Sequence, residues 1–187
     1  DLAVGSPYFD SAAAANRGAA YIFYGSTSGV DPSGADSASI VSEAKRFQGS
    51  QTGAQAGRSV SGGDIDGDGI NEVLVGAPGG ASGAGRTWLL SGPVTIGPAV
   101  ANLAATATQR TSDAEHAGWA VALNGDTDGD GAADVLIGSP QSTASGSANE
   151  GPGVVTLLLG ADIQTDGFDL AAGVEHGGTS TGEAVGY

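Results

Sequence analysis

Two stretches of this chain gather carboxylates at a spacing suited to a cation. Asp64-Ile65-Asp66-Gly67-Asp68-Gly69-Ile70-Asn71-Glu72 and Asp126-Thr127-Asp128-Gly129-Asp130-Gly131-Ala132-Ala133-Asp134 carry acids at positions 1, 3, 5 and 9 and glycine at position 6. Acids at 1, 3 and 5 place three carboxylates around one point while the glycine lets the backbone turn sharply. Position 7 (Ile70, Ala132) can add a backbone carbonyl, completing an oxygen set that suits a hard cation such as Ca²⁺. An EF-hand takes its last carboxylate from a Glu at position 12, on the helix leaving the loop. Here position 12 is Val75 and Ile137, so that reading fails twice. The last acid stands at position 9 instead (Glu72, Asp134), directly before short apolar runs that read as strands. Glu in place of Asp at this position is tolerable, since its longer arm still reaches the ion. Each stretch is expected to be a calcium loop leading into a strand. The ion is expected to be structural, because five oxygen ligands from one loop leave little room for substrate.

The elements around these loops repeat as well. The two strands end on Gly76-Ala77-Pro78 and Gly138-Ser139-Pro140, and Asp1-Leu2-Ala3-Val4-Gly5-Ser6-Pro7 repeats the same unit from position 9 onward. Upstream of the loops stand Ala56-Gly57-Arg58-Ser59-Val60 and Ala117-Gly118-Trp119-Ala120-Val121, and Thr181-Gly182-Glu183-Ala184-Val185 repeats them near the C-terminus. An Asp loop followed by Val-Gly-[Ala/Ser]-Pro, with a Gly-x-x-Val element before it, resembles the FG-GAP repeat. That repeat is the blade unit of integrin α-subunit β-propellers and of many bacterial surface proteins. The Phe that precedes this Gly in the family is absent each time. The resemblance implies an all-β fold of about three four-stranded antiparallel blades. It also implies a role in adhesion or ligand recognition outside the cell, and the Ala/Gly bias with absent Cys points to a bacterial setting.

Composition agrees with that class. The 187 residues include 34 Gly and only 5% aromatics, so a core of Val, Leu, Ile and Ala with frequent turns is expected. Of the 21 acids behind the net charge of −15, nine are Asp1 or loop acids, which bound cations would neutralise. Six Lys and Arg, scattered along the chain, argue against nucleic acid as a partner. No apolar run approaches the roughly 18 residues that span a membrane as a helix. Calcium modules outside the cell work at affinities of roughly 10⁻⁴–10⁻³ M, which places the chain as secreted or on a cell surface if the loops are of that kind.

Aligned tails (Asp1, Glu72, Asp134) are spaced by 71 and 62 residues, and aligned Gly-x-x-Val glycines (Gly57, Gly118, Gly182) by 61 and 64. Periods of that size with four short strands each mean propeller blades. Strand 1 is expected over 57–61, 118–123 and 182–187, and strand 2 over 2–4, 73–75 and 135–137. Strand 3 is expected over 19–24, 86–90 and 154–159, and strand 4 near 40–47, 103–108 and 168–171. The connecting pieces 26–39, 93–101 and 161–167 then read as loops between strands 3 and 4, and 174–181 as the loop leading to the next strand 1. This divides the chain into a partial blade 1–49, blades 50–108 and 109–172, and the first strand of a further blade in 173–187. Asp1 would be a ligand only if the rest of its loop were supplied. Three blades cannot close a ring, so the unpaired edges are expected to need the remaining blades or a second copy.

Other constellations carry little chemistry. The glycines of 76–85 lack the Lys of a phosphate loop, since the only Lys is Lys45. No Cys is present for a thiol mechanism and no nucleophile elbow stands out. His116 and His176 each follow a Glu but sit at different offsets from the next Gly-x-x-Val element, so solvated loop residues are the ordinary reading. Alternate connections of an up-and-down blade fall on the same side, so the strand 2–3 hairpins and the strand 4–1 connections form a metal-free face. A protein or glycan partner is expected there, at Tyr8, Phe9, Arg17, Arg110 and His116, with Trp119 read as core. The function expected is binding, with no catalysis. An accessory domain of a secreted hydrolase or phospholipase, or a structural repeat of a larger assembly, are the rival readings.

Overall fold

A computed structural model describes residues 1–12, 14–25, 44–92, 100–102, 108–111, 116–140, 153–166 and 173–177. The expected strands 182–187 and 168–171 and the loop 26–39 lie outside them. Twelve strands are present among the described residues: β1 (Leu2–Ser6), β2 (Ala19–Phe23), β3 (Ala44–Gln48), β4 (Ser59–Gly63), β5 (Glu72–Ala77), β6 (Arg86–Leu90), β7 (Val100–Asn102), β8 (Thr108–Thr111), β9 (Ala120–Gly125), β10 (Asp134–Ser139), β11 (Val154–Leu158) and β12 (Val174–Gly177). They form three sheets in the orders β1-β2-β3-β7, β4-β5-β6-β8 and β9-β10-β11-β12. Every pairing is antiparallel except β3 with β7. The fold is all-β, an arrangement of three blades consistent with part of a propeller.

Successive side chains of a strand point to opposite sides, so each sheet has two faces, and the two core clusters lie between sheets. Ala20, Ile22 and Phe47 of the first sheet meet Val75, Ala77, Trp88 and Leu90 of the second, with Val60 and Val73 at the edge. The other face of the second sheet, carrying Leu74 and Leu89, meets Leu123, Val135, Ile137 and Leu158 of the third.

The glycines of the repeated elements let neighbouring sheets touch. Gly57 and Gly118 hold φ of +79° and +83°. In the first case a Cβ would stand 2.2 Å from the Ala19 carbonyl oxygen and 3.0 Å from Gly5 Cα. In the second it would stand 2.7 Å from the Arg86 carbonyl oxygen and 3.0 Å from Gly76 Cα. Both conformation and space therefore require glycine. Within their own sheets the Gly57 and Gly118 amides donate to the Gly76 and Gly138 carbonyls at 3.0 and 3.1 Å. Gly57 and Gly118 thus each sit between the tail glycine of their own sheet and that of the sheet before.

Several expectations about elements need correction. Strand 1 starts two residues later than expected, at Ser59 and Ala120, because the glycines at 57 and 118 form the turn into it. Among the described residues the fourth strand of the second sheet is 108–111 and that of the third is 174–177, while the residues 103–107 and 168–171 expected to form these strands lie outside the described residues. Their sequences (Thr-Gln-Arg-Thr, Val-Glu-His-Gly) have no apolar alternation, and pairing with β6 and β11 decides their place. So β8 straddles the boundary set at 108/109, and β12 falls past 172 in what read as a connecting loop. Residues 100 and 101, read as loop, pair together with Asn102 in parallel with Arg46, Phe47 and Gln48. The loop read over 161–167 is mostly a helix, α1 (Gly160–Asp166), whose Ile163 is buried in the core beneath it.

Candidate metal loops and the opposite face

Both Asp loops leave strand 1 and enter strand 2 at one end of their sheets, and they fold alike. In each, two glycines take positive φ: Gly67 (+73°) and Gly69 (+84°), Gly129 (+84°) and Gly131 (+91°). The first Asp then accepts from the backbone of the turn it opens. Asp64 receives Gly67 N–H at 2.7 Å and Gly69 N–H at 2.9 Å, and Asp126 receives Gly129 at 2.7 Å and Gly131 at 3.0 Å. The acids at positions 3 and 5 cap the amides two residues on: Asp66 with Asp68 at 3.2 Å, Asp68 with Ile70 at 2.7 Å, Asp128 with Asp130 at 3.2 Å and Asp130 with Ala132 at 2.8 Å. Such Asx turns fix the carboxylates along one line of the loop.

The geometry fits one cation per loop. Oxygens of Asp64, Asp66 and Glu72 lie within 4.8 Å of one another, as do oxygens of Asp126, Asp128 and Asp130. Opposed ligands around Ca²⁺, each at 2.3–2.6 Å, stand up to about 5 Å apart, so either group can share an ion. Asp68 and Asp134 stand outside these groups. Ile70 is exposed, and Ala132, the same position in the second loop, is buried.

The position-9 acids have a second role that sequence reasoning missed. Glu72 and Asp134 are only 2% and 4% exposed. Glu72 Oε2 accepts from Ile65 N–H at 3.0 Å and Oε1 from Gly92 N–H at 3.0 Å. Asp134 Oδ2 accepts from Thr127 N–H at 2.6 Å and from the Thr127 hydroxyl, and Oδ1 from Gly160 N–H at 2.9 Å. Asp1 makes the same link, accepting from Gly25 N–H at 2.8 Å. In all three sheets this acid therefore ties the start of strand 2 to the glycine that follows strand 3. The signal was present in the sequence: strand 3 closes on Gly25, Gly92 and Gly160. Burial works against the charge on Asp134, but the Thr127 hydroxyl and the two amides outweigh it and hold the carboxyl below its ordinary value.

At the other end of the sheets the strand 2–3 hairpins run beside the strand 4–1 connections. Ala56 N–H donates to Arg17 O and Ala117 N–H to Ala84 O, both at 3.1 Å. Ala56 and Ala117, standing where the family has Phe, are fully buried in these parallel bridges. Of the residues expected to meet a partner, Tyr8 is 68% exposed. Phe9 is half-buried under the Arg46 guanidinium, 4.6 Å from its ring centroid. Arg17 needs correction: it is buried, with Nε donating to Gly49 O and an Nη to Ser11 Oγ at 2.9 Å, so it clamps hairpin to connection. Arg110 lies on β8 opposite Thr87. His116 is half-buried, with φ of +61°, and meets Trp119 edge-on with ring centroids 6.1 Å apart. Trp119, read as core, is half-buried, with the Arg58 guanidinium 4.4 Å from its ring centroid.

Residues 56–90 and 117–158 each match the family model of the FG-GAP repeat. Both spans open on the buried Ala-Gly pair and close in strand 3, so each holds one metal loop with the strands that carry it. No curated protein matches the chain. No helix among the described residues is long and apolar enough to cross a membrane.

Proposed function

From the two stretches, 56–90 and 117–158, that match the FG-GAP repeat, we propose that the chain is an FG-GAP repeat protein whose two Asp loops bind Ca²⁺ as structural ions. The blades they stiffen serve recognition outside the cell. The observation that carries this is the grouping of carboxylate oxygens at 64, 66 and 72 and at 126, 128 and 130, each group within the span of one calcium shell. Asp64, Asp66, Asp68 and Glu72, with the Ile70 carbonyl, would hold one ion. Asp126, Asp128, Asp130 and Asp134, with the Ala132 carbonyl, would hold the other. The ion supplies positive charge between acids that otherwise repel.

In this reading the chain performs no chemistry of its own, and a protein or glycan partner docks on the metal-free face. Two guanidinium–aromatic pairs, Arg46 with Phe9 and Arg58 with Trp119, and the exposed Tyr8 support that choice. Adhesion or ligand recognition of the kind served by integrin α-subunits is the corresponding role. The test is thermal unfolding with and without chelator: Ca²⁺ raises the melting temperature and excess EDTA lowers it. An unchanged melting temperature would sink the calcium reading. For the face, Tyr8→Ala and Arg58→Ala weaken binding to any partner captured by the chain at unchanged melting temperature. Retained binding in both variants would reject that surface.

A further inference from the structure

Where strand 1 of the second sheet and strand 1 of the third begin, at the metal-free end, their side chains meet in a stack. Arg58 and Trp119 hold the same position, one residue past the motif glycines Gly57 and Gly118. The Arg58 guanidinium lies 4.4 Å from the centroid of the Trp119 ring, and His116 stands edge-on to that ring at 6.1 Å. Both backbones are pinned. Arg58 N–H donates to Gln55 O and Gly76 O at 3.1 and 3.2 Å, and Trp119 N–H to His116 O and Gly138 O at 3.1 and 3.2 Å. Ser59 Oγ, next to Arg58, donates to Gly118 O at 2.9 Å and ties the two sheets together here. The stack therefore stands on fixed backbone before any partner arrives.

Stacking uses a face of the planar guanidinium and none of its N–H donors. Arg58 is exposed and pairs with no carboxylate among the described residues. The other stacked arginine differs, since Arg46 is half-buried with its Nε out of reach of solvent. An exposed fork held flat by an indole matches a carboxylate, which it grips with two parallel hydrogen bonds. The net charge of −15 decides what can carry that carboxylate. Even with two bound Ca²⁺ the chain stays strongly acidic, so its field repels a polyanion such as an acidic glycan. A neutral or basic protein surface bearing one Asp or Glu meets no such barrier. Arg and Trp are also the side chains on which binding energy concentrates at protein interfaces.

We propose that Arg58, stacked on Trp119, is the anchor for an Asp or Glu carboxylate of a protein partner. This rests on the reading that the metal-free face serves recognition, and it names the chemistry of the contact. Trp119 positions the fork, and the guanidinium edge makes the hydrogen bonds.

Nuclear magnetic resonance on the isotope-labelled chain, in millimolar Ca²⁺ and low salt, tests it without a captured partner. The probe is the end-blocked pentapeptide Gly-Gly-Glu-Gly-Gly, compared with its Gln counterpart and with a glucuronate-containing tetrasaccharide. The Glu peptide is expected to shift the Arg58 Nε–H and Trp119 indole N–H signals saturably, with a millimolar Kd, and the Gln peptide to shift neither. Arg58→Gln weakens the binding at least about tenfold. Arg58→Lys keeps the charge without the fork and does not restore it. Trp88 is fully buried, so its unchanged indole signal shows that each variant is folded. No saturable shift, equal binding of the Glu and Gln peptides, or full binding in Arg58→Gln would overturn the proposal. So would the tetrasaccharide binding in place of the peptide, which would assign the fork to an acidic glycan. A protein partner held on this face despite Arg58→Gln and excess Glu peptide would remove the anchor and leave the recognition reading standing.

Discussion

The loops at 64–72 and 126–134 anchor the same buried acid in two different ways. Glu72 reaches its two backbone amides with a long arm, and Ile65 beside it is buried in the core. Asp134 is one methylene shorter, and Thr127, at the Ile65 position, adds a hydroxyl donor to the amide. The acids at positions 1, 3 and 5 hold the turn in both loops, and most of them face solvent. The difference teaches that each loop has two parts. A rim of carboxylates at positions 1, 3 and 5 closes the turn and would meet an ion, and a base acid at position 9 ties the loop to the sheet through backbone amides.

The largest effect comes from emptying both rims. At free Ca²⁺ about a hundredfold above Kd, each ion stabilises the chain by about 2.7 kcal/mol. Chelation removes that from both loops, which denaturant titration in Ca²⁺ and in EDTA reads directly. Equal melting in the two buffers would leave the rims without a role.

Truncating a base acid ranks next. Glu72→Ala or Asp134→Ala strands two amide donors, at about 1–3 kcal/mol for each one that stays buried. Unlike a rim variant such as Asp66→Asn, either one lowers stability in EDTA as well as in Ca²⁺. If Glu72→Ala cost nothing in EDTA, the division into rim and base would fail.

A smaller effect separates the two anchors. Thr127→Val removes the hydroxyl donor to Asp134 and costs about 1 kcal/mol. It also changes the pH dependence. The folded Asp134 carboxyl lies below its ordinary value, so its contribution is fully present above the ordinary carboxylate range near pH 4. That contribution is lost as pH falls through the lowered value. Thr127→Val shrinks the gap, so the calcium-free chain loses less stability between neutral pH and acid than the wild type. Ile65→Val, at the same position of the other loop, leaves that profile unchanged.

How much of this was readable from the sequence follows from where each signal arises. The loops were legible because an acid every second residue, then glycine, has few other uses. Strands 2 and 3 were legible as Val- and Leu-rich runs ending on glycine. Strand 4 was legible in the first sheet, near Ala44–Gln48, but not in the other two, where Thr108–Thr111 and Val174–Gly177 are placed by their neighbours. Nor was the parallel strand 100–102, whose partner lies more than fifty residues upstream. Arg17 read as a surface cation because nothing local shows that Gly49 and Ser11 close over it. The motif glycines were visible as a pattern, but their reason, contact between neighbouring sheets at Gly5 and Gly76, exists only once the sheets are stacked.

The most direct test is a count of bound ions by isothermal titration of the calcium-free chain with Ca²⁺. The two loops predict two ions for each chain. Asp66→Asn should weaken or remove one of them, and Asp128→Asn the other, with the unmutated loop keeping its affinity. No saturable binding, or two ions retained at unchanged affinity in the double variant, would contradict the account.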